Sequence, residues 1–301
     1  MIQREFTKYS GAGNDFVVLD AWHEPIGLND QQIEDLVRKA CARGNGGVGS
    51  DGLILIDRSK DAPFLLRFYT PDGSYGALCG NGARCAVHAA ADFGVVSGER
   101  TEFEVLGDVN RAELLADELV KVFVQKPRDI KLNFMLRMGH KLFINANYVD
   151  VGSQHGVIFI DELQKIDRSV TMEDLRIGYY GPMVRWHVEF APKGVNANFI
   201  EVREDEQGRY LRIRTFERGV EGETLACGTG CISSAIIAHA TKKIDATSIR
   251  LLTQSGEFVT VAFDIVGGKA QNLSLEGSAK RGMRGVLQFD EANSVFSYKP
   301  A

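Results

Sequence analysis

Apolar and polar positions alternate along much of the chain, and the alternation falls into short runs. "REFTKYSG" and "NDFVVLD" read as strands on either side of a turn at Gly11-Ala12-Gly13. "DGLILID" and "PFLLRFYT" read as two more, and "TEFEVLG", "RAELLA" and "LVKVFVQKP" as an antiparallel meander ending near Pro127. A helical period shows in "NDQQIEDLVRKACAR", where Ile33, Leu36, Val37 and Ala40 recur on one face behind an Asn/Asp start. The turn-rich "PDGSYGALCGNG" then leads into a helix of small residues from about Ala83 to Phe93.

The second half repeats this plan. "KLFINANYVDVGSQHGVIFID", "VRWHVEFAP", "NANFIEV" and "LRIRTFERG" predict strands, and a turn-rich loop reaches Cys227. A second helix of small residues follows to about Thr241, and "SIRLLTQSG", "FVTVAFDIVG" and "AQNLSLEG" predict further strands. Aligned on Cys79 and Cys227, the halves correspond: Phe68 and Phe216 lie eleven residues before the cysteine, Thr70 and Arg218 nine. Each half thus delivers a strand to a loop, then to Cys-Gly-x-Gly, then to a helix. The duplication predicts two pseudo-symmetric domains that face each other across a cleft, with a boundary near Pro127. The domains expected are 1–127 with 280–301, carrying Cys79, and 128–279, carrying Cys227.

Bulk properties narrow the class. A chain of 301 residues has ample material for two cores. The net charge of −5 argues against a nucleic-acid partner, which a basic patch would serve. No apolar run approaches a membrane span, and "MIQREFTKYSG" lacks the apolar region of a signal peptide, so a cytoplasmic enzyme is expected. Five cysteines without framework spacing fit a reducing compartment, where thiols are buried, catalytic or metal-binding.

Cysteine reacts through its thiolate, and a helix start lowers the thiol pKa. Glycines after it let backbone N–H groups close on an anion such as a carboxylate. Two such motifs sharing a cleft would set one sulfur on each side of the carbon beside that carboxylate, an arrangement for removing a proton from one face and returning one to the other. The residues leave other readings open. Small residues at a helix start also serve close packing. Cys85 and Cys231 read as buried thiols within the helices. A zinc site lacks the usual paired spacing, and His155 and His187 stand in no ligand-spaced cluster. A Cys–His nucleophilic pair is a third option.

The segments "KYSGAGNDFVVLD", "GVGSDGLILI", "PDGSYGALCGNGARC", "NANFIEV" and "ERGVEGETLACGTG" together resemble the diaminopimelate epimerases, amino-acid epimerases that work without pyridoxal phosphate. The resemblance runs over essentially the whole chain. It implies an α+β fold of two domains, each a curved, mainly antiparallel sheet around a central helix, and usually a homodimer. It implies Cys79 and Cys227 as acid and base, with no cofactor and no metal. Gly80, Asn81, Gly228 and Thr229 would bind the carboxylate at the reacting centre. Asn14, Asn196, Glu217 and Arg218 match substrate-contacting positions, and His155 and Glu217 match residues that tune the thiols. The expected substrate is a small amino acid, LL-diaminopimelate, converted to the meso form.

The match departs at three places. Thr70 stands where the family commonly has a substrate-contacting Asn, and Ser153-Gln154 replaces Asn-Pro before His155. Gly52 holds a position that is Gln in some members and Gly in many. A hydroxyl reaches less far than an amide and lacks its paired geometry. Two functions outside the main reading follow: a racemase for another amino acid, and a non-catalytic cysteine or metal module.

Overall fold

A computed structural model of the chain describes residues 1–44, 46–76, 80–124 and 126–301. It divides into two units, 1–122 with 276–301 and 123–275. The first unit opens with β1 (Ile2–Gly11) and β2 (Asn14–Asp20), joined through Ala12 and Gly13, whose φ angles are 51° and 88°. Gly13 accepts such an angle freely, and Ala12 adopts it against preference to keep the turn tight. Then follow α1 (Asp30–Cys41), β3 (Leu53–Asp57), β4 (Leu65–Tyr69), α2 (Gly80–Asp92), β5 (Arg100–Val105), β6 (Asp108–Leu114) and β7 (Leu119–Phe123).

The second unit carries β8 (Asp129–Gly139), β9 (Leu142–Asp150), β10 (Gln154–Phe159), α3 (Ile160–Gln164), α4 (Ile177–Arg185), β11 (Asn196–Asp205), β12 (Gly208–Glu217), β13 (Gly222–Thr224), α5 (Gly228–Ala240), β14 (Ser248–Leu252) and β15 (Phe258–Val266). Within β16 (Lys269–Ser278), at Glu276, the chain returns to the first unit and continues as β17 (Lys280–Asp290) and β18 (Val295–Pro300).

Strand pairing has the same plan in each unit. In the first, β17, β1 and β2 pair antiparallel in that order, β3 joins β2 in parallel, β4 returns antiparallel, and β5 joins β4 in parallel. In the second, β8, β9 and β10 pair antiparallel, β11 joins β10 in parallel, β12 returns antiparallel, and β14 joins β12 in parallel. Each parallel step needs a crossover, and helices supply it. In both units the second crossover holds the Cys-Gly-x-Gly helix, α2 or α5.

These two helices are central because small and apolar residues make up most of their length, which burial suits. In α2, Ala83, Cys85, Ala86, Val87, Ala89 and Ala90 are buried against a core with Phe16, Ile54, Phe64, Leu66 and Phe103. Small side chains let the sheet curve closely around the helix, while large ones come from the strands. In α5 every residue from Gly230 to Ala238 is buried. Each fully buried Ile or Leu contributes about 1.5–3 kcal/mol. The surface helix α1 differs: it has an apolar stripe and a capping box, in which Asn29 Oδ1 accepts from Gln32 N–H and Gln32 Oε1 accepts from Asn29 N–H, both at 3.0 Å.

Three stretches correct the sequence reading. "VRWHVEFAP" is no strand: Val184 and Arg185 end α4, and Val188–Phe190 is a 3-10 turn. Its alternation misleads because Trp186 and Val188 are 59% and 76% exposed. β8 was not expected, because its first half is exposed and a bulge between Lys131 and Phe134, with Asn133 at φ 52°, breaks its period. β17 and β18 were not expected either, since β17 opens on the polar "KRGMRG" and is held by pairing with β1.

Candidate active site

Cys227 is the N-cap residue of α5, extended at φ −119° and ψ 109°, and its carbonyl accepts the first helical bond, from Cys231 N–H at 2.9 Å. The sulfur therefore sits beside the helix's unsatisfied N–H groups. A helix start alone would lower the thiol pKa, yet burial pushes Cys227 far up, and the charge of Glu217 pushes the same way. Thr229 and the Gly230 N–H oppose both. Desolvation wins because a thiolate loses more by leaving water than two partial dipoles return. Burial also holds the Glu217 carboxyl above the usual carboxylate range. Burial and the Glu217 charge thus both favour the protonated form of the Cys227 thiol.

A hydrogen-bonded line runs from this sulfur into the core. Cys227 Sγ lies 3.5 Å from Thr229 Oγ1, Ser153 Oγ 3.2 Å from Thr229 Oγ1, and His155 Nε2 2.8 Å from Ser153 Oγ. Behind the imidazole, Asn198 Nδ2 is 3.0 Å from His155 Nδ1. His155 is fully buried, and burial together with the charge of Arg218 lowers its pKa to about 3, so the ring is neutral.

Asn196 and Arg218 meet beside this line. Arg218 N–H donates to Asn196 Oδ1 at 2.8 Å, Asn196 Nδ2 donates to the Gln154 carbonyl at 3.2 Å, and Arg218 Nη1 donates to Gln154 Oε1 at 2.8 Å. Gln154 thus anchors the guanidinium through its side chain, a contact that the Pro expected at this position could not make. Gly228 opens α5. The second unit therefore brings Ser153, His155, Asn196, Glu217, Arg218, Cys227 and Thr229 into one neighbourhood.

In the first unit Gly80 opens α2, and Asn81 Nδ2 donates to Asn14 Oδ1 at 2.7 Å. Arg84 Nη2 donates to Asn81 Oδ1 at 2.9 Å, and Asn14 Nδ2 donates to Asp51 Oδ2 at 3.0 Å. These contacts fix both amides. Cys79 lies outside the described residues. Thr70 closes a turn of its own: its Oγ1 lies 2.6 Å from Asp72 Oδ1, to which it donates, and 3.1 Å from the Ser74 carbonyl.

Sequence reasoning missed Asn198, Asp51, Arg84 and the contact of Gln154. Asn198 had a signal, for it lies two residues after Asn196 and shares its face of the strand. So had Arg84, the one charged side chain near the start of an otherwise small-residue helix. Among the described residues no three His, Cys, Asp or Glu side chains converge as metal ligands, and no helix is long and apolar enough to cross a membrane.

A family model described as diaminopimelate epimerase matches residues 6–128 and 147–280. The diaminopimelate epimerase of Chlorobaculum tepidum is 36% identical over 279 residues, covering 92% of this chain and 99% of that one. That of Aquifex aeolicus is 38% identical over 268 residues, covering 86% and 90%. Among solved structures, a phenazine biosynthesis protein of the PhzF family from Bacillus anthracis superposes with a TM-score of 0.68 at 16% identity, covering 95% of this chain and 99% of that one. A hydroxyproline epimerase from Agrobacterium vitis does so with a TM-score of 0.65 at 16% identity, covering 94% and 92%. At such identity the structures speak for the fold alone.

Proposed function

The chain belongs to the diaminopimelate epimerase family, and from that premise we propose that it inverts one α-carbon of LL-2,6-diaminopimelate to give the meso form, a step towards lysine and peptidoglycan precursors. The single observation that carries the reading at the level of chemistry is Cys227, a buried thiol at a helix start with Glu217 and Thr229 beside it.

The Cys79 thiolate takes the Cα proton, and the electron pair left on carbon spreads into the carboxylate. The Cys227 thiol then gives its proton to the opposite face, leaving Cys79 as thiol and Cys227 as thiolate. The reverse reaction exchanges their roles. Backbone N–H groups at Gly80 and Asn81, and at Gly228 and Thr229, hold the carboxylate as its charge grows, the role of preorganised donors in such a step. Asn14, Asn196, Glu217 and Arg218 contact the rest of the substrate, and Arg218 takes the distal carboxylate. The domains proposed to carry the two thiols, 1–127 with 280–301 and 128–279, lie a few residues from the bounds of the two units, 1–122 with 276–301 and 123–275. The working form is a cytoplasmic homodimer whose partner is the small amino acid, with neither nucleic acid nor membrane.

A second reading, racemisation of another amino acid, draws support from Thr70. Its hydroxyl is engaged in its own turn, and no amide stands there to bind substrate.

Incubation of the protein with LL-diaminopimelate in D2O tests both readings. The meso product should form with solvent deuterium at the inverted carbon, and Cys79→Ala and Cys227→Ala should each lose nearly all turnover. Transfer of the substrate's own hydrogen into the inverted product, or full activity in either alanine variant, would exclude the two-thiol mechanism. Faster turnover of a monocarboxylic amino acid would favour the second reading.

A further inference from the structure

The direction of every hydrogen bond between Asn198 and Cys227 follows from the groups around Asn198. Thr215 Oγ1 donates to Asn198 Oδ1 at 3.0 Å, so that end of the amide is the acceptor. The other end faces the carbonyls of Gly156 at 3.1 Å and Asn196 at 3.3 Å, and only an NH2 fits between two carbonyls. The same NH2 nitrogen lies 3.0 Å from His155 Nδ1, and because an amide NH2 offers no lone pair to accept a proton, Nδ1 faces it as the unprotonated ring nitrogen. A neutral imidazole with a bare Nδ1 holds its proton on Nε2, and Nε2–H must donate to Ser153 Oγ. With one lone pair occupied in this way, Ser153 turns its own O–H onto Thr229 Oγ1. The hydroxyl of Thr229 is then left for Cys227 Sγ.

We propose that Ser153 and Thr229 form a one-way hydrogen-bond relay, polarised from Asn198 through His155, whose last O–H donates to Cys227 Sγ. It acts on both forms of the sulfur. In the thiol, the lone pair facing Thr229 is taken, so the S–H bond cannot point there and is left for the substrate. Once that proton has gone to carbon, the same O–H stabilises the new thiolate, with no hydroxyl having to turn. The relay thereby opposes the burial and the Glu217 charge that resist thiolate formation. The other groups acting on the sulfur are the Gly230 N–H and Cys231 on α5, while Arg218 acts on His155. Ser153 and Thr229 are positioning residues through their side chains, while the Thr229 backbone keeps its part in holding the carboxylate. The inference rests on the two-thiol reading for its role in turnover, but the relay itself can be tested without substrate.

The test is the rate at which iodoacetamide alkylates Cys227, read by mass spectrometry of the Cys227 peptide over a range of pH, since alkylation reports even a small fraction of thiolate. Ser153→Ala removes the relay at its centre, and Thr229→Val removes its last donor. Each should lower the fraction of Cys227 thiolate about tenfold at a given pH, the size expected for one hydrogen bond to a charged group. Ser153→Thr and Thr229→Ser keep a hydroxyl and should restore the parent curve. In turnover, the pH profile of kcat should move in the same sense in both broken variants. Unchanged alkylation in Ser153→Ala or Thr229→Val, or failure of the hydroxyl-bearing variants to restore it, would overturn the relay. A parent protein that is alkylated as expected yet turns over no diaminopimelate would overturn the functional reading and leave the relay standing.

Discussion

Gly230 makes room for Asn198: a Cβ on Gly230 would stand 2.4 Å from Asn198 Oδ1 and 3.3 Å from Cys227 Sγ. The second glycine of this Cys-Gly-x-Gly motif is thus a packing requirement. Since Asn198 is fully buried and bonded at both ends of its amide, it cannot swing aside cheaply. Gly230→Ala should destabilise the protein by about 1–3 kcal/mol, the usual cost of overpacking. In a double-mutant cycle with Asn198→Ala the two losses should be less than additive, because the second change removes the clash. Thermal unfolding of the four proteins measures this, and strict additivity would contradict it.

His155 makes stability depend on pH. The folded ring stays neutral down to about pH 3, whereas in the unfolded chain it takes a proton as the pH falls through its ordinary 6.5. Between those values the unfolded state binds the extra proton, so this contribution to stability is complete above 6.5 and is lost as the pH falls towards 3. The slope for one proton is about 1.4 kcal/mol per pH unit. A His155→Asn variant lacks the titration. Its deficit against the parent should therefore shrink steadily between pH 6 and pH 4 in urea unfolding, and parallel curves would be inconsistent with a buried neutral ring.

Helix α5 also carries two hydroxyls that do nothing visible. Ser233 Oγ and Ser234 Oγ are buried without a hydrogen-bond partner among the described residues. An unsatisfied buried hydroxyl costs about 1–3 kcal/mol, and Ala is the better helix former. Ser233→Ala and Ser234→Ala should each raise the Tm in differential scanning calorimetry; a fall in either would mean that its hydroxyl has a partner.

How much of this was legible beforehand depends on how far each feature is local. The helix around Ile33, Leu36 and Val37 was legible because its period and its cap lie in one stretch. The two small-residue helices were legible because each follows a cysteine and glycines at the same spacing from a strand. The 3-10 turn at Val188–Phe190 was hidden, since it depends on which side of Trp186 faces solvent, a tertiary fact. Gly52 was noted as a variable position without a reason. A Cβ there would lie 2.4 Å from the Phe68 ring and 2.8 Å from the Tyr69 carbonyl, so this chain's own β4 excludes a larger residue. The site divides in the same way. Cys227, His155 and Arg218 were named from motifs, but the work of Ser153, Thr229 and Gln154 lies in contacts across 42 to 76 residues of chain, which no local spacing reveals.

Arg218 gives the most direct test of the substrate. Its backbone is tied to Asn196 and its Nη1 to Gln154 Oε1, so one edge of the guanidinium is held while the rest stays available. A held, planar fork suits a carboxylate bound through two parallel N–H bonds, which the single ammonium of lysine cannot copy. Arg218→Lys should lower kcat/KM for diaminopimelate about a hundredfold, corresponding to the loss of a hydrogen bond to a charged group worth about 3 kcal/mol. Gln154→Ala removes only the anchor. It leaves the charge in place and removes only a contact that orients it, so it should raise KM by roughly three- to tenfold and leave kcat largely intact. Steady-state kinetics on the three proteins separates these outcomes. A negligible loss in Arg218→Lys would remove the distal carboxylate from this side chain. A fall in kcat with unchanged KM in Gln154→Ala would mean that the anchor serves the transition state rather than binding.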